Sequence, residues 1–144
     1  MVGEQDIANE RGETGGCVMH GSELRNLLHP FLLLLIFERP GHGYDLIERL
    51  GGLGVADVEP GHVYRVLRGL ERDRSVASAW ETARGGPARR RYELTAKGRV
   101  DLEAWVDRLG RLDDVIDNCL VRWARTGSAG RLPGRGPRYA AVGS

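Results

Sequence analysis

His62, Arg65, Arg68 and Arg72 recur every three or four residues, and a second set, Arg89, Arg90 and Arg91, follows within twenty residues. Neither set suits covalent chemistry. A guanidinium stays charged at any physiological pH, and its planar fork can hold guanine O6 and N7 in the major groove or clamp a phosphate. The chemistry these residues support is therefore recognition of a polyanion. His20, His29, His42 and His62 have no close metal-ligand spacing, and Cys17 and Cys119 sit in no CxxC or CxxxH pattern. The sequence contains no nucleophile–base pair or paired-carboxylate motif. Its GGxG and PGRG segments lack the strand-then-helix setting that phosphate cradling needs. Neither an enzyme, nor a metal, nor a cofactor is expected.

The elements that must carry these arginines can be read from spacing. From Pro60 to Asp73, Val63, Val66, Leu67 and Leu70 share one helical face, which leaves His62, Arg65, Arg68 and Arg72 on the other. Pro60 suits the first turn of this helix, where its missing N–H costs little. The chain then changes to extended propensity over Val76 to Thr82 and breaks at Gly85, Gly86 and Pro87. It resumes as Arg89 to Leu94, with Tyr92 and Leu94 alternating. An arginine-bearing helix followed directly by a basic hairpin is the arrangement of a winged helix-turn-helix, which offers two cationic surfaces to one duplex. In the return strand Arg89 and Arg91 share a side and Arg90 takes the other, so the three cannot all meet the same phosphates.

Bulk composition conceals this. The 144 residues carry 21 Lys+Arg against 20 Asp+Glu, a formal net charge of only +1. Between Glu59 and Gly98, however, nine cations face five anions, a local net of +4, and from Val100 to Leu120 six anions face two cations, a local net of −4. A basic reading head joined to an acidic helix held away from phosphate accounts for both.

Upstream, Pro30 and the apolar block Phe31 to Phe37 predict a buried first helix that ends at Arg39, Pro40 and Gly41. His42 to Leu50 predicts a second helix, with Tyr44, Ile47 and Leu50, or Leu46 and Leu50, at helical spacing and Gly51 and Gly52 as its stop. A last helix starts at Thr95, whose hydroxyl can cap its first turn, and runs to about Arg125. Along it Leu102, Trp105, Leu109, Leu112, Ile116, Cys119 and Trp123 step by three and four, the pattern of a heptad seam. Such a seam suits either packing on the chain's own first helix or, preferably, a two-fold interface between copies. Trp105 and Trp123 suit interface packing there, and their faces could also line an effector pocket between subunits.

The expected organisation is a flexible arm over 1–23, a winged helix-turn-helix over 24–95, a dimerisation helix over 96–125 and a disordered tail over 126–144. No internal repeat appears. The fold class is mainly α with a small β-hairpin wing. At this length and 41% hydrophobic content one domain with a modest core suffices. The longest apolar run falls far short of the roughly 20 residues a bilayer demands. A cytoplasmic protein with no membrane partner and two reduced thiols is expected.

Three segments in order resemble the PadR family of bacterial transcriptional regulators: HGYDLIERL, PGHVYRVLRGLE and GGPARRRYELTAKG, within a match from about Leu27 to Trp123. The single long last helix resembles the family's shorter branch. The resemblance implies a homodimer that binds double-stranded DNA at a pseudo-palindromic operator, usually as a repressor, released by a small-molecule effector or other cue. It implies that Tyr44 and Tyr64 lie near phosphates and that His62, Arg65 and Arg68 reach the groove. In the wing it implies Gly86, Pro87, Arg89 and Arg90 at the backbone or minor groove. The alternative is a winged helix used only for protein–protein interaction. One departure stands out. Where the family pattern usually has Asp-Gly after the third helix, this chain has Asp73 and Arg74, so either the turn is strained or Arg74 contacts DNA.

Overall fold

The computed structural model describes residues 19–20, 24–82 and 85–127. Most of the expected arm and tail, together with Cys17 and Arg84, lies outside the described residues. The chain divides into two compact units, residues 1–104 and 105–144.

The first unit is built on three helices. After a 3₁₀ turn at Arg25–Leu27, α1 spans Leu28–Glu38 and buries Leu28, Pro30, Leu32, Leu33, Leu35 and Ile36. Arg39 is extended ahead of Pro40, as the clash between a proline ring and the preceding residue requires. The apolar block is not buried throughout, since Phe37 is 46% exposed and carries the Arg99 guanidinium over its ring at 5.1 Å. The two-residue strand β2 (Gly41–His42) leads into α2 (Gly43–Leu53), whose buried face is Gly43, Leu46 and Leu50. Gly51 and Gly52, expected as the stop, lie inside α2. The helix ends instead at Gly54, which takes the left-handed conformation (φ 108°) that only glycine adopts without a steric cost.

Arg49 of α2 closes the C-terminal end of α1. Its side chain donates to the carbonyls of Leu35 and, at 3.0 Å, Arg39, and to Asp45 at 3.3 Å. A cation there adds a donor to the carbonyls at this end, where Leu35 also accepts the Arg39 N–H at 3.1 Å, and faces the negative end of the helix dipole. Next, β3 (Val55–Ala56) pairs in parallel with β1 (Met19–His20), so part of the segment read as an unstructured arm is a short strand.

Helix α3 spans Pro60–Arg72 with the proline in its first turn. Its end is a Schellman motif: Ser75 N–H bonds the Leu70 carbonyl (2.9 Å) and Arg74 N–H the Glu71 carbonyl (3.0 Å). Arg74 occupies the left-handed position with φ 64°. Of the two possibilities in the sequence, backbone strain is therefore present in the fold itself. The wing follows as β4 (Val76–Glu81) and β5 (Arg89–Leu94), antiparallel, with Val76 opposite Leu94 and Trp80 opposite Arg90; β2 adds a third strand on the far side of β5. Gly85, at φ 69°, serves the wing turn.

Thr95 caps α4 (Ala96–Arg125), its Oγ1 accepting the Gly98 N–H at 2.9 Å while its hydroxyl donates to the Arg74 carbonyl at 2.6 Å. Gly98 packs so tightly that a Cβ there would lie 1.9 Å from the Ser75 carbonyl oxygen. Beside it Asp101 accepts from Lys97 (2.8 Å) and Ser75 (2.6 Å), and these bonds hold its carboxyl below the ordinary value. Leu32, Ile36, Leu46, Leu50, Val63, Leu67, Val76 and Tyr92 form the core beneath these elements. The architecture is a winged helix-turn-helix with a long C-terminal helix, as expected from the sequence.

Candidate nucleic-acid interface

Helix α3 divides its residues as its periodicity demands. Val63, Val66, Leu67 and Leu70 are buried, whereas Arg65, Arg68 and Arg72 are exposed. His62 departs from the expected outward face. It is half-buried, its Nε2 is enclosed without a hydrogen-bond partner among the described residues, and burial, reinforced by Arg25 and Arg65, pushes its pKa below the ordinary imidazole value. A half-buried imidazole whose charged form is disfavoured is a poorer groove contact than the exposed arginines.

The second tyrosine of the expected set, Tyr64, is half-buried, and burial followed by the neighbouring Tyr44 raises its pKa. It lies against the first residue of α2, where a Cβ on Gly43 would come within 2.4 Å of the ring. The glycine thus lets two helices approach closely enough to place Tyr64 beside Tyr44, which is 73% exposed.

On the wing, strand alternation sends Trp80, Ser78, Arg90 and Tyr92 to the side that meets α3. Ser78 donates to Glu71 of α3 (2.6 Å) and accepts from Arg90 Nε (2.9 Å); Arg90 Nη2 also reaches Glu71 (3.4 Å). The Arg90 guanidinium lies 5.2 Å from the centre of the Trp80 ring, and Trp80 is itself 65% exposed. On the opposite side Arg91 is paired with Glu81 (3.5 Å), which His42 also contacts at 3.0 Å. Arg89, Gly86 and Pro87 are exposed.

A cleft of about 930 Å³ between α2, α3 and the wing brings together Tyr44, Tyr64, Arg68, Pro87, Arg89 and Arg90 from the expected set. It leaves out His62, Arg65 and Gly86. Among the other residues lining the cleft, Trp80 and Glu71 have no place in the expected set, and Tyr92 is expected only as an alternating strand residue. Asp45 and Glu48 also line it, so the cleft mixes both charges and its cations are confined to α3 and the wing.

The sequence profile of the PadR-like transcriptional regulator family matches residues 32–104, just over half the chain. The chain belongs to that family. Solved structures resembling this PadR-like regulator include a PadR-like transcription factor from Bacteroides fragilis, 26% identical over 68% of this chain and 95% of that one, with a TM-score of 0.58. Another is a PadR-like transcriptional regulator from Bacillus cereus, 25% identical over 69% of this chain and 96% of that one, TM-score 0.61. A PadR family regulator from Eggerthella lenta is 25% identical over 83% and 97% of the two chains, TM-score 0.61. No curated protein matches. The chain is thus a transcriptional regulator and not an enzyme. Among the described residues no helix is long and apolar enough to cross a membrane, and no cluster of three or more His, Cys, Asp or Glu could hold a metal.

The seam of this PadR-like chain is unevenly covered. Leu102 is buried in the first unit; in the second, Trp105 and Leu109 are half-buried, Cys119 is a free exposed thiol, and Leu112, Ile116 and Trp123 are 40%, 46% and 50% exposed. Val106 and Val115 add 54% and 64% exposed apolar side chains. Arg108 stacks over Trp105 at 4.6 Å. Trp123 stands eighteen positions after Trp105 along the helix, roughly 27 Å at 1.5 Å per residue, so within one chain they cannot line one pocket.

Proposed function

We propose that this regulator is a homodimeric repressor that binds a pseudo-palindromic operator through α3 and the wing, and is released by a small-molecule effector. One observation carries the reading. Helix α3 turns Arg65, Arg68 and Arg72 outward on the same unit whose wing offers Arg89 and Arg90. In this reading α3 enters the major groove, where Arg68 reads a base edge, while Tyr44 and Tyr64 approach phosphates and Gly86, Pro87, Arg89 and Arg90 follow the backbone. His62 is a secondary contact.

The exposed Leu112, Ile116, Cys119 and Trp123, continued by the half-buried Leu109 and Trp105, support dimerisation through α4, because large apolar side chains repeated at heptad spacing gain most by pairing; Leu102, buried in the first unit, lies beyond the free part of the stripe. Two-fold symmetry then places two recognition helices on one face of the duplex, with half-sites about one helical turn apart or a multiple of it. An effector pocket using Trp105 and Trp123 must draw them from different subunits.

The test is binding to a palindrome upstream of the chain's own gene across a salt series. Affinity should fall steeply with salt, and Arg68→Ala should weaken specific binding by roughly 1–3 kcal/mol and relax preference at one position per half-site. Weak, salt-insensitive affinity for every duplex would instead identify a winged helix used for protein interaction.

A further inference from the structure

Arg90 differs from Arg89 and Arg91, the other described basic residues of the wing, in being held on three sides. Its Nε donates to Ser78 Oγ at 2.9 Å, its Nη2 reaches Glu71 at 3.4 Å, and its guanidinium lies over Trp80 at 5.2 Å. The holders come from two elements, since Glu71 belongs to α3 and Ser78 and Trp80 to β4. Ser78 joins them, donating to Glu71 at 2.6 Å as it accepts from Arg90. Of the five N–H groups of a guanidinium, the described residues engage the Nε–H and one on Nη2. The edge formed by Nη1 and the outer side of Nη2 remains for another acceptor, and the Arg90 side chain is 42% exposed beside the α3–wing cleft.

We infer that Ser78, Glu71 and Trp80 are positioning residues that hold Arg90 as a pre-oriented phosphate clamp between the recognition helix and the wing. The inference rests on the DNA-binding reading above and adds to it the residues through which Arg90 acts. An arginine fixed before binding loses less side-chain entropy on meeting a phosphate, and its free edge matches two phosphate oxygens. The cradle also fixes the spacing between α3 and the wing, because the Glu71 carboxylate ties one to the other. Glu71 is the acid a simple charge argument would place elsewhere, and its bonds to Ser78 and Arg90 account for its presence beside the phosphate-facing arginine.

Ser78→Ala isolates the cradle without changing charge, and the probe is the upstream operator duplex. The variant should bind about threefold to tenfold more weakly than the parent while keeping the parent's salt slope, because no phosphate contact is removed. Arg90→Ala should lower the slope by about 0.9 per site. In the Arg90→Ala background Ser78→Ala should have no further effect, whereas with Arg90 present Ser78→Thr, which keeps the hydroxyl, should bind like the parent. Equal losses with and without Arg90 would overturn the inference, as would unchanged affinity in Ser78→Ala. A parent protein with no salt-dependent affinity for the operator would defeat the DNA-binding reading itself, a result distinct from either.

Discussion

Replacing Arg74 by glycine should stabilise the protein. Arg74 holds the left-handed position of the Schellman turn at φ 64°, where an L-residue with a Cβ is crowded against its own carbonyl by about 1–2 kcal/mol. Glycine removes that cost but adds about 0.5–1 kcal/mol of chain entropy to the unfolded state. The net gain for Arg74→Gly is therefore about 0.5–1 kcal/mol, and at this chain length a kcal/mol moves the thermal midpoint by about 2–4 °C. Arg74→Ala serves as the control: it removes the same charge but keeps the Cβ, so it should give no comparable gain. Circular dichroism melts and urea titrations of the parent and both variants measure the difference. A lowered or unchanged midpoint for the glycine variant would refute the assignment of strain to this turn. Operator affinity measured on the same proteins separates the second role. If Arg74 also contacts phosphate, both variants lose affinity and about 0.9 of salt slope per site.

Gly98→Ala should destabilise the fold by at least about 2 kcal/mol, because its Cβ would meet the Ser75 carbonyl oxygen, a backbone atom without freedom to retreat; the chemical-denaturation midpoint checks this. The His62 pKa is lowered by burial, so in the interval below 6.5 the unfolded chain binds more protons than the folded one. Stability should be fully present above pH 6.5 and decline as pH falls toward the folded value, and His62→Gln should flatten that slope in urea titrations at stepped pH. By the same sign Asp101, held below 3.8, contributes stability above that pH and loses it as pH falls through the folded value, a loss absent in Asp101→Asn. Leu109→Asp combined with Ile116→Asp should yield monomers by light scattering, with helix content retained and operator binding abolished, since each carboxylate would be buried without a partner in a dimer. A dimer that still binds would show that the seam is not the interface.

The division of α3 into an apolar and a cationic face was legible because a 3.6-residue period leaves few alternatives over thirteen residues. The wing was legible from Gly85, Gly86 and Pro87 between two β-prone runs. Other features have no one-dimensional signature. A helical wheel puts His62 outward but cannot say that Arg25 and His29 come near enough to act on its charge. Three glycines within four residues do not reveal which will turn left-handed, and Gly54, not Gly51 or Gly52, did. Arg49 binds backbone carbonyls, which every residue possesses, so nothing in the sequence marks its partners. Trp80 and Glu71 carry no mark in the sequence because their roles depend on a cross-strand register and on a contact between helix and strand.

The Arg49 contacts also bear on the order in which the chain acquires structure. They link residues only 10 and 14 positions apart, so the α1–α2 pair closes a short loop at small entropic cost. Pairing of Gly41 with Tyr92 joins segments about fifty residues apart. Local contacts form faster than distant ones, which makes the helical pair the natural nucleus and the β2–β5 bridge a late event. Arg49→Met should accordingly slow folding more than it speeds unfolding, whereas a change at Tyr92 should act chiefly on the unfolding rate.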